Sequence, residues 1–202
     1  MEPRQRSVLT TSNLRLFVAI ELPGDVREAL SRLQHDLQRR GLENLRWVRP
    51  EGIHLTLKFL GATPAESVPE LEAGLAGAAS GVAPHQLTLG ELGTFGGSRP
   101  RVLWIDLRGD LDAVFTLQER VEGALNPLGF EREARGWSPH ITLARVRPET
   151  AREIARALPP ALDGARIPPG TIPVREVSLM RSILRPRGAV YERIAAFSLN
   201  AA

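Results

Sequence analysis

The sequence predicts an α+β fold made of two similar halves that face each other across a groove. Strand-like and helix-like stretches follow one another as strand, helix, strand, and that order occurs twice. Arg15 stands 39 residues before His54 and Arg101 stands 39 before His140, so an offset of 86 superposes both strand starts and both histidines. Around each histidine, polar and apolar residues alternate, as they do in a sheet with one buried and one open face.

Taken in order, residues 1–13 are polar and unpatterned and read as a disordered tail, with 14–202 as a single bilobal domain whose repeat spans about 15–61 and 101–147. Residues 15–22, RLFVAIEL, read as a strand. Pro23 opens a helix to about Arg40, with Val26, Leu30, Leu33 and Leu37 on one face and Gly41 as its stop. A turn and Pro50 lead into a strand over 53–60, and a helix is expected over 66–79. In the second half, 101–108 reads as a strand and 110–128 as a helix with Leu111, Val114, Leu117, Val121, Leu125 and Leu128 on one face. Gly129 ends that helix, and Pro139 precedes a strand over 140–146. Further strands are expected over 86–92, 174–182 and 190–199, the last two forming a hairpin through Arg185-Pro186-Arg187-Gly188. A helix starts near Pro148 and ends at Pro159-Pro160, and the Gly/Pro-rich stretches 93–100 and 163–173 read as loops.

Composition removes several classes of function. The 202 residues are 43% hydrophobic and 24% charged, as in an ordinary globular protein. No apolar stretch is long enough to cross a bilayer and the N-terminus lacks the apolar core of a signal peptide, so a cytoplasmic location away from membranes is expected. The absence of cysteine excludes disulfides, thiolate nucleophiles and Cys-rich zinc sites. The net charge of +3 suits an anionic partner without proving one. Of the 26 basic residues only Lys58 is lysine, which base-composition bias in the genome explains, although arginine also offers planar bidentate donors to phosphate.

Two of the four histidines begin the same pattern: His54-Leu55-Thr56-Leu57 and His140-Ile141-Thr142-Leu143. With 10 Thr and 29 Leu in the chain, a given histidine is followed by x-Thr-Leu with a chance of ~0.007, so coincidence is a poor explanation for two. Strand parity puts His54, Thr56 and Lys58 on one face and Leu55, Leu57 and Phe59 on the other. It likewise puts His140 and Thr142 opposite Ile141, Leu143 and Arg145. One such motif reads most simply as a half-exposed strand; two copies in the same register of a repeat point to a shared site.

Imidazole has an unperturbed pKa near 6.5, so one histidine can take a proton from water while the other gives one to a leaving oxygen. The threonine hydroxyls can donate to phosphate oxygens where charge gathers in the transition state. No metal or other cofactor is needed for that chemistry. Lys58 reads as an exposed strand lysine or a substrate contact. Trp47, Trp137 and Tyr191 are candidates for nucleobase stacking or for core and rim packing. His35 and His85 lack a threonine partner and read as structural or exposed.

These segments resemble the 2H phosphoesterase superfamily, in particular its LigT-like branch of RNA 2′,3′-cyclic phosphodiesterases, historically called 2′-5′ RNA ligases. The resemblance rests on Arg15-Leu16-Phe17-Val18-Ala19-Ile20 with Leu22-Pro23, on Trp47-Val48-Arg49-Pro50, and on His54 through Gly61. It continues in Pro100 through Trp104, Pro139 through Arg145, Ser182 and Tyr191-Glu192, so it covers nearly the whole chain. It implies a bilobal pseudo-two-fold fold, with two antiparallel sheets lining a central cleft and helices outside. It also implies His54 as proton donor to the 3′ oxygen, His140 as proton acceptor from water, and a 2′-phosphomonoester product.

Thr56, Thr142 and Arg145 would bind the phosphate, although parity in a regular strand turns Arg145 away unless the strand bulges after Leu143. The expected partner is RNA with a 2′,3′-cyclic phosphate end, or a cyclic nucleotide, handled by a monomer. The chain departs from the family pattern at Phe95-Gly96, where Phe-Pro is common, and at Trp137, where Phe often precedes the second motif. Three other readings stay open. A zinc site using both histidines lacks a third ligand in either motif. A non-catalytic module for RNA ends would use the histidines as phosphate donors only. For a 2′-5′ RNA ligase driven by ATP the sequence offers no Gly-rich Walker loop and no lysine nucleophile other than Lys58.

Overall fold

The computed structural model describes residues 12–134, 136–186 and 188–201. Residues 1–11 of the expected tail lie outside the described residues; Asn13, assigned to that tail, already opens the first strand.

The elements run β1 (Asn13–Glu21), α1 (Gly24–Leu37), β2 (Arg46–Trp47), β3 (His54–Pro64), α2 (Val68–Ala79), β4 (His85–Phe95) and β5 (Val102–Gly109). They continue with α3 (Leu111–Leu125), β6 (His140–Arg145), α4 (Ala151–Leu162), β7 (Thr171–Val174), β8 (Glu176–Arg185) and β9 (Gly188–Ser198). Two expected loops are shorter than the sequence suggests. β4 runs through Gly93 to Phe95 because Trp104 of β5 lies over Gly93, where a Cβ would come within van der Waals overlap. β7 takes residues 171–173 from the second loop by pairing with the start of β4. The last helix continues through Pro159-Pro160 to Leu162, where the Pro159 carbonyl accepts the Asp163 N–H at 3.0 Å.

The strands are ordered β7-β4-β5-β6-β3-β1-β8-β9, and every pair is antiparallel. The order reads as two four-stranded halves, β7-β4-β5-β6 and β3-β1-β8-β9. They meet at a seam where β3 and β6 share the single register pair Leu55–Ile141. The expected two sheets are therefore the two halves of one continuous sheet. On its outer face Leu16, Val18, Ile20, Leu55, Leu57, Leu103, Ile105, Ile141 and Leu143 pack with the helices in one core. Val114, Leu117, Val121 and Leu125 of α3 are fully buried there, as their helical spacing predicts. A separate small cluster of Phe17, Ala19 and Met180, with Tyr191 against it, lies on the other face.

Strand pairing corrects the repeat by one residue. Thr56 pairs with Ala19 and Thr142 with Trp104; Leu55 pairs with Ile20 and Ile141 with Ile105. The motif strands β3 and β6 keep the offset of 86, but β1 and β5 are related by 85. The match of Arg15 with Arg101 is therefore not structural.

Candidate active site

Both motif strands carry a bulge at the same place in the repeat. Between β1 and β3 the register shifts at Leu57, and between β5 and β6 it shifts at Leu143. A bulge inserts one residue and reverses the facing of everything after it. His54, Thr56, His140 and Thr142 are half-buried on the face opposite Leu55 and Ile141, as parity predicts. Past the bulges parity fails. Arg145, which a regular strand would turn toward the core, is exposed, and its charge acts on both histidines. Phe59, expected to be buried with Leu55, is 68% exposed, and its ring lies 6.2 Å from that of Phe17.

Lys58 turns the other way, into the core. It is 7% exposed and donates to Glu122 of α3 at 2.5 Å and to the Glu131 carbonyl at 2.7 Å, while Gln118 donates to the same carboxylate at 3.2 Å. It is neither a solvated strand lysine nor a substrate contact. The second bulge has its own anchor: buried Gln34 of α1 donates to the Leu143 carbonyl at 3.0 Å and to that of Val48 at 2.8 Å. Each helix thus sends a polar side chain to the motif strand of the opposite half.

The histidines are held alike. His54 Nδ1 lies 2.8 Å from the Gly52 carbonyl and His140 Nδ1 lies 2.8 Å from that of Ser138. A carbonyl only accepts, so each neutral ring carries its proton on Nδ1 and keeps Nε2 as a bare acceptor. The turn Pro50–Gly52 supplies the first carbonyl; Gly52 lies against Tyr191, which a Cβ there would approach to 3.0 Å. His54 stacks on Phe17 at 4.8 Å and meets Tyr191 edge-on at 5.2 Å. His140 meets Phe95 edge-on at 4.8 Å, with Trp104 beyond at 6.5 Å. Burial among these rings lowers the His54 pKa to about 4, against the Gly52 carbonyl and Glu21, which raise it, and with Arg145, which lowers it further. The His140 pKa is also lowered, first by burial and then by Arg145, with the Ser138 carbonyl opposing.

The antiparallel register at Leu55–Ile141 sets His54 opposite Thr142 and Thr56 opposite His140. A site with two unprotonated Nε2 acceptors, two hydroxyls and one guanidinium suits a tetrahedral oxyanion that exchanges protons on two sides. The sequence pattern of the family described as LigT like Phosphoesterase matches residues 20–104 and again 106–191, one histidine motif in each stretch.

The chain belongs to the LigT-like phosphoesterases.

A protein of Geobacillus stearothermophilus named RNA 2′,3′-cyclic phosphodiesterase is 34% identical over 91% of the chain, which spans 56% of that relative's length. One of the same name from Thermus thermophilus is 33% identical, with 93% of this chain and 91% of the relative aligned. The crystal structure of E. coli LigT complexed with 3′-AMP superposes with a TM-score of 0.70 at 27% identity, covering 93% of this chain and 98% of the other.

This LigT-like site also holds residues that sequence reasoning passed over. Glu21 pairs with His54 and Asp106 with His140, so each histidine has a carboxylate residue at the same register position on the neighbouring strand. The offset of 85 would have exposed that match; the assumed 86 hid it. Of the candidate stacking aromatics, Trp47 packs against the core and donates to the Leu42 carbonyl at 3.1 Å. Trp137 donates to the Thr56 carbonyl at 3.2 Å, and the Tyr191 ring lies edge-on to that of His54. His35 is exposed, and His85 is buried, with Nδ1 3.0 Å from the Ala83 carbonyl. Among the described residues, no three His, Asp or Glu side chains converge as a metal-binding group, and no helix is long and apolar enough to cross a membrane.

Proposed function

We propose that the chain hydrolyses the 2′,3′-cyclic phosphate end of RNA, or a nucleoside 2′,3′-cyclic phosphate, to the 2′-phosphomonoester. The observation that carries this reading is the matched pair of imidazoles, each with Nδ1 tied to a carbonyl two residues back and Nε2 left as an acceptor. A water oxygen bonds to phosphorus while the bond from phosphorus to O3′ breaks. His140 Nε2 takes the water proton and protonated His54 gives one to O3′; exchange with solvent then resets both rings. Thr56, Thr142 and Arg145 meet the charge that gathers on the non-bridging oxygens.

His54 must be charged to donate, yet burial keeps it neutral near pH 7 in the free protein. The phosphate anion resolves that conflict. Brought beside a desolvated imidazole, a negative charge favours the imidazolium and raises the pKa. The substrate thus charges its own acid. The names of the Geobacillus and Thermus relatives support this substrate, and the E. coli LigT complex supports a cleft that accepts a nucleotide.

The test is to incubate the protein with the four nucleoside 2′,3′-cyclic monophosphates, with and without EDTA, and to identify products by phosphorus NMR. Nucleoside 2′-monophosphates formed at equal rates in both conditions are expected. No turnover, or a 3′-phosphate product, overturns the reading; loss of turnover in EDTA returns the site to metal chemistry.

A further inference from the structure

β2 is only 2 residues long, yet its register sets two positive charges side by side. Trp47 packs against the core and donates to the Leu42 carbonyl, so Arg46 faces the other way, into the cleft. There Arg46 pairs directly with Arg145. Cross-strand partners share a face, and like charges set opposite one another destabilise a strand pair. Arg101 and Arg147 lie next to them, because the Val146 N–H donates to the Arg101 carbonyl at 2.9 Å. All four arginines are exposed, and none forms an ion pair among the described residues. Other surface arginines of the chain are neutralised: Asp36 holds Arg39 and Arg40, Glu91 holds Arg108, and Glu21 and Glu176 hold Arg193.

Resting on the proposed phosphodiesterase activity, we propose that Arg46 binds the phosphodiester that joins the last nucleoside of the RNA to the rest of its strand. A strand ending in a 2′,3′-cyclic phosphate carries two phosphates on its last nucleoside, the cyclic one and the diester at O5′. The cyclic phosphate occupies the histidines, the threonines and Arg145. Arg46 then offers a second guanidinium beside the first, charged at every working pH and able to give two parallel donors to phosphate oxygens. Arg145 lies three residues along β6 from Thr142, about 10 Å of strand, so Arg46 opposite it stands on the order of one nucleotide from the reacting phosphorus.

An anion bound between Arg46 and Arg145 also removes the repulsion that their pairing creates. Arg101 and Arg147 add to the positive field that draws a polyanion toward this end of the cleft. A diester contact reads charge and carries no sequence information, so it serves an RNA end with any upstream base. The cleft is thereby matched to the end of a polynucleotide, and a free cyclic mononucleotide fills only part of it.

The experiment compares wild type, Arg46→Gln and Arg46→Lys on adenosine 2′,3′-cyclic monophosphate and on the dinucleotide adenylyl-adenosine 2′,3′-cyclic phosphate. Wild type is expected to show a KM ~10-fold lower for the dinucleotide, with kcat little changed, and Arg46→Gln should erase that advantage. The mononucleotide has no diester, so all three proteins should handle it alike, which also shows that the variants fold. Arg46→Lys keeps the charge without the fork and should retain part of the advantage. For the dinucleotide, the slope of log KM against log salt should be shallower in Arg46→Gln by roughly 0.7, the loss of one phosphate contact. Equal KM values for the two substrates in wild type, or equal effects of Arg46→Gln on both, overturn the subsite. Wild-type protein that hydrolyses neither substrate overturns the activity beneath it.

Discussion

Leu55 and Ile141 are register partners across the seam between the two halves, and their pairing organises the cleft. Both are buried against the helices, at 1% and 0% exposure, so the adjacent His54, Thr56, His140 and Thr142 must all face the other way. Truncating either to Ala is expected to cost about 2–5 kcal/mol by cavity formation. Activity should fall in the folded fraction as well, because the seam sets the spacing of the imidazoles. Urea denaturation read beside kcat checks both parts; a destabilised variant with unchanged kcat contradicts the second.

His54→Ala and His140→Ala should each lower kcat on a cyclic nucleotide by ~10²–10⁴, since in the proposed mechanism each carries half of one proton-transfer cycle. Neither ring is a structural keystone, so circular dichroism and melting temperature should stay near wild type. Near-normal turnover in either variant would rule out the paired mechanism.

Thr56→Ala and Thr142→Ala should be milder than the histidine changes, with kcat down by up to ~10² through loss of one donor to the phosphoryl oxygens. If both variants retain full activity, the threonines only shape the strands.

The pH dependence follows from the lowered histidine pKa values. In the proposed mechanism productive free protein needs His54 charged and His140 neutral, and burial holds both pKa values below 6.5, that of His54 at about 4. The kcat/KM profile should therefore peak below pH 6.5, while kcat peaks at higher pH because bound phosphate raises both pKa values. Arg145→Ala removes a charge that lowers both, so it should move the kcat/KM peak upward; histidine titration by NMR gives the same shift directly. Stability has the matching sign. A depressed folded-state pKa gives stability that is present above pH 6.5 and lost as pH falls toward 4, on the order of 3 kcal/mol from His54. Urea unfolding at pH 7 and pH 4, in wild type and His54→Gln, measures it.

Lys58→Met and Glu122→Leu should each destabilise by about 3–5 kcal/mol, because each strands one buried charge. The double variant should recover most of that loss. Independent, additive losses in a double-mutant cycle would mean that the ion pair is not the partnership seen in the structure.

Much of this protein is legible in its residues alone. Helical spacing found the buried faces of α1 and α3, and alternation found the motif strands. The repeated His-x-Thr-Leu named the pair at the seam, because local periodicity records which face of an element meets the core. The tertiary structure decided everything past Leu57 and Leu143. A bulge adds one residue without changing composition, so parity counted along the chain sent Lys58 and Arg145 to the wrong faces and buried Phe59. Pairing with β1 and β5, the Gln34 bonds to the Leu143 and Val48 carbonyls, and the Lys58 bond to Glu122 hold those bulges in place. Every one of those partners is distant in sequence. The same holds for Glu21 and Asp106, which register alone sets beside the two histidines.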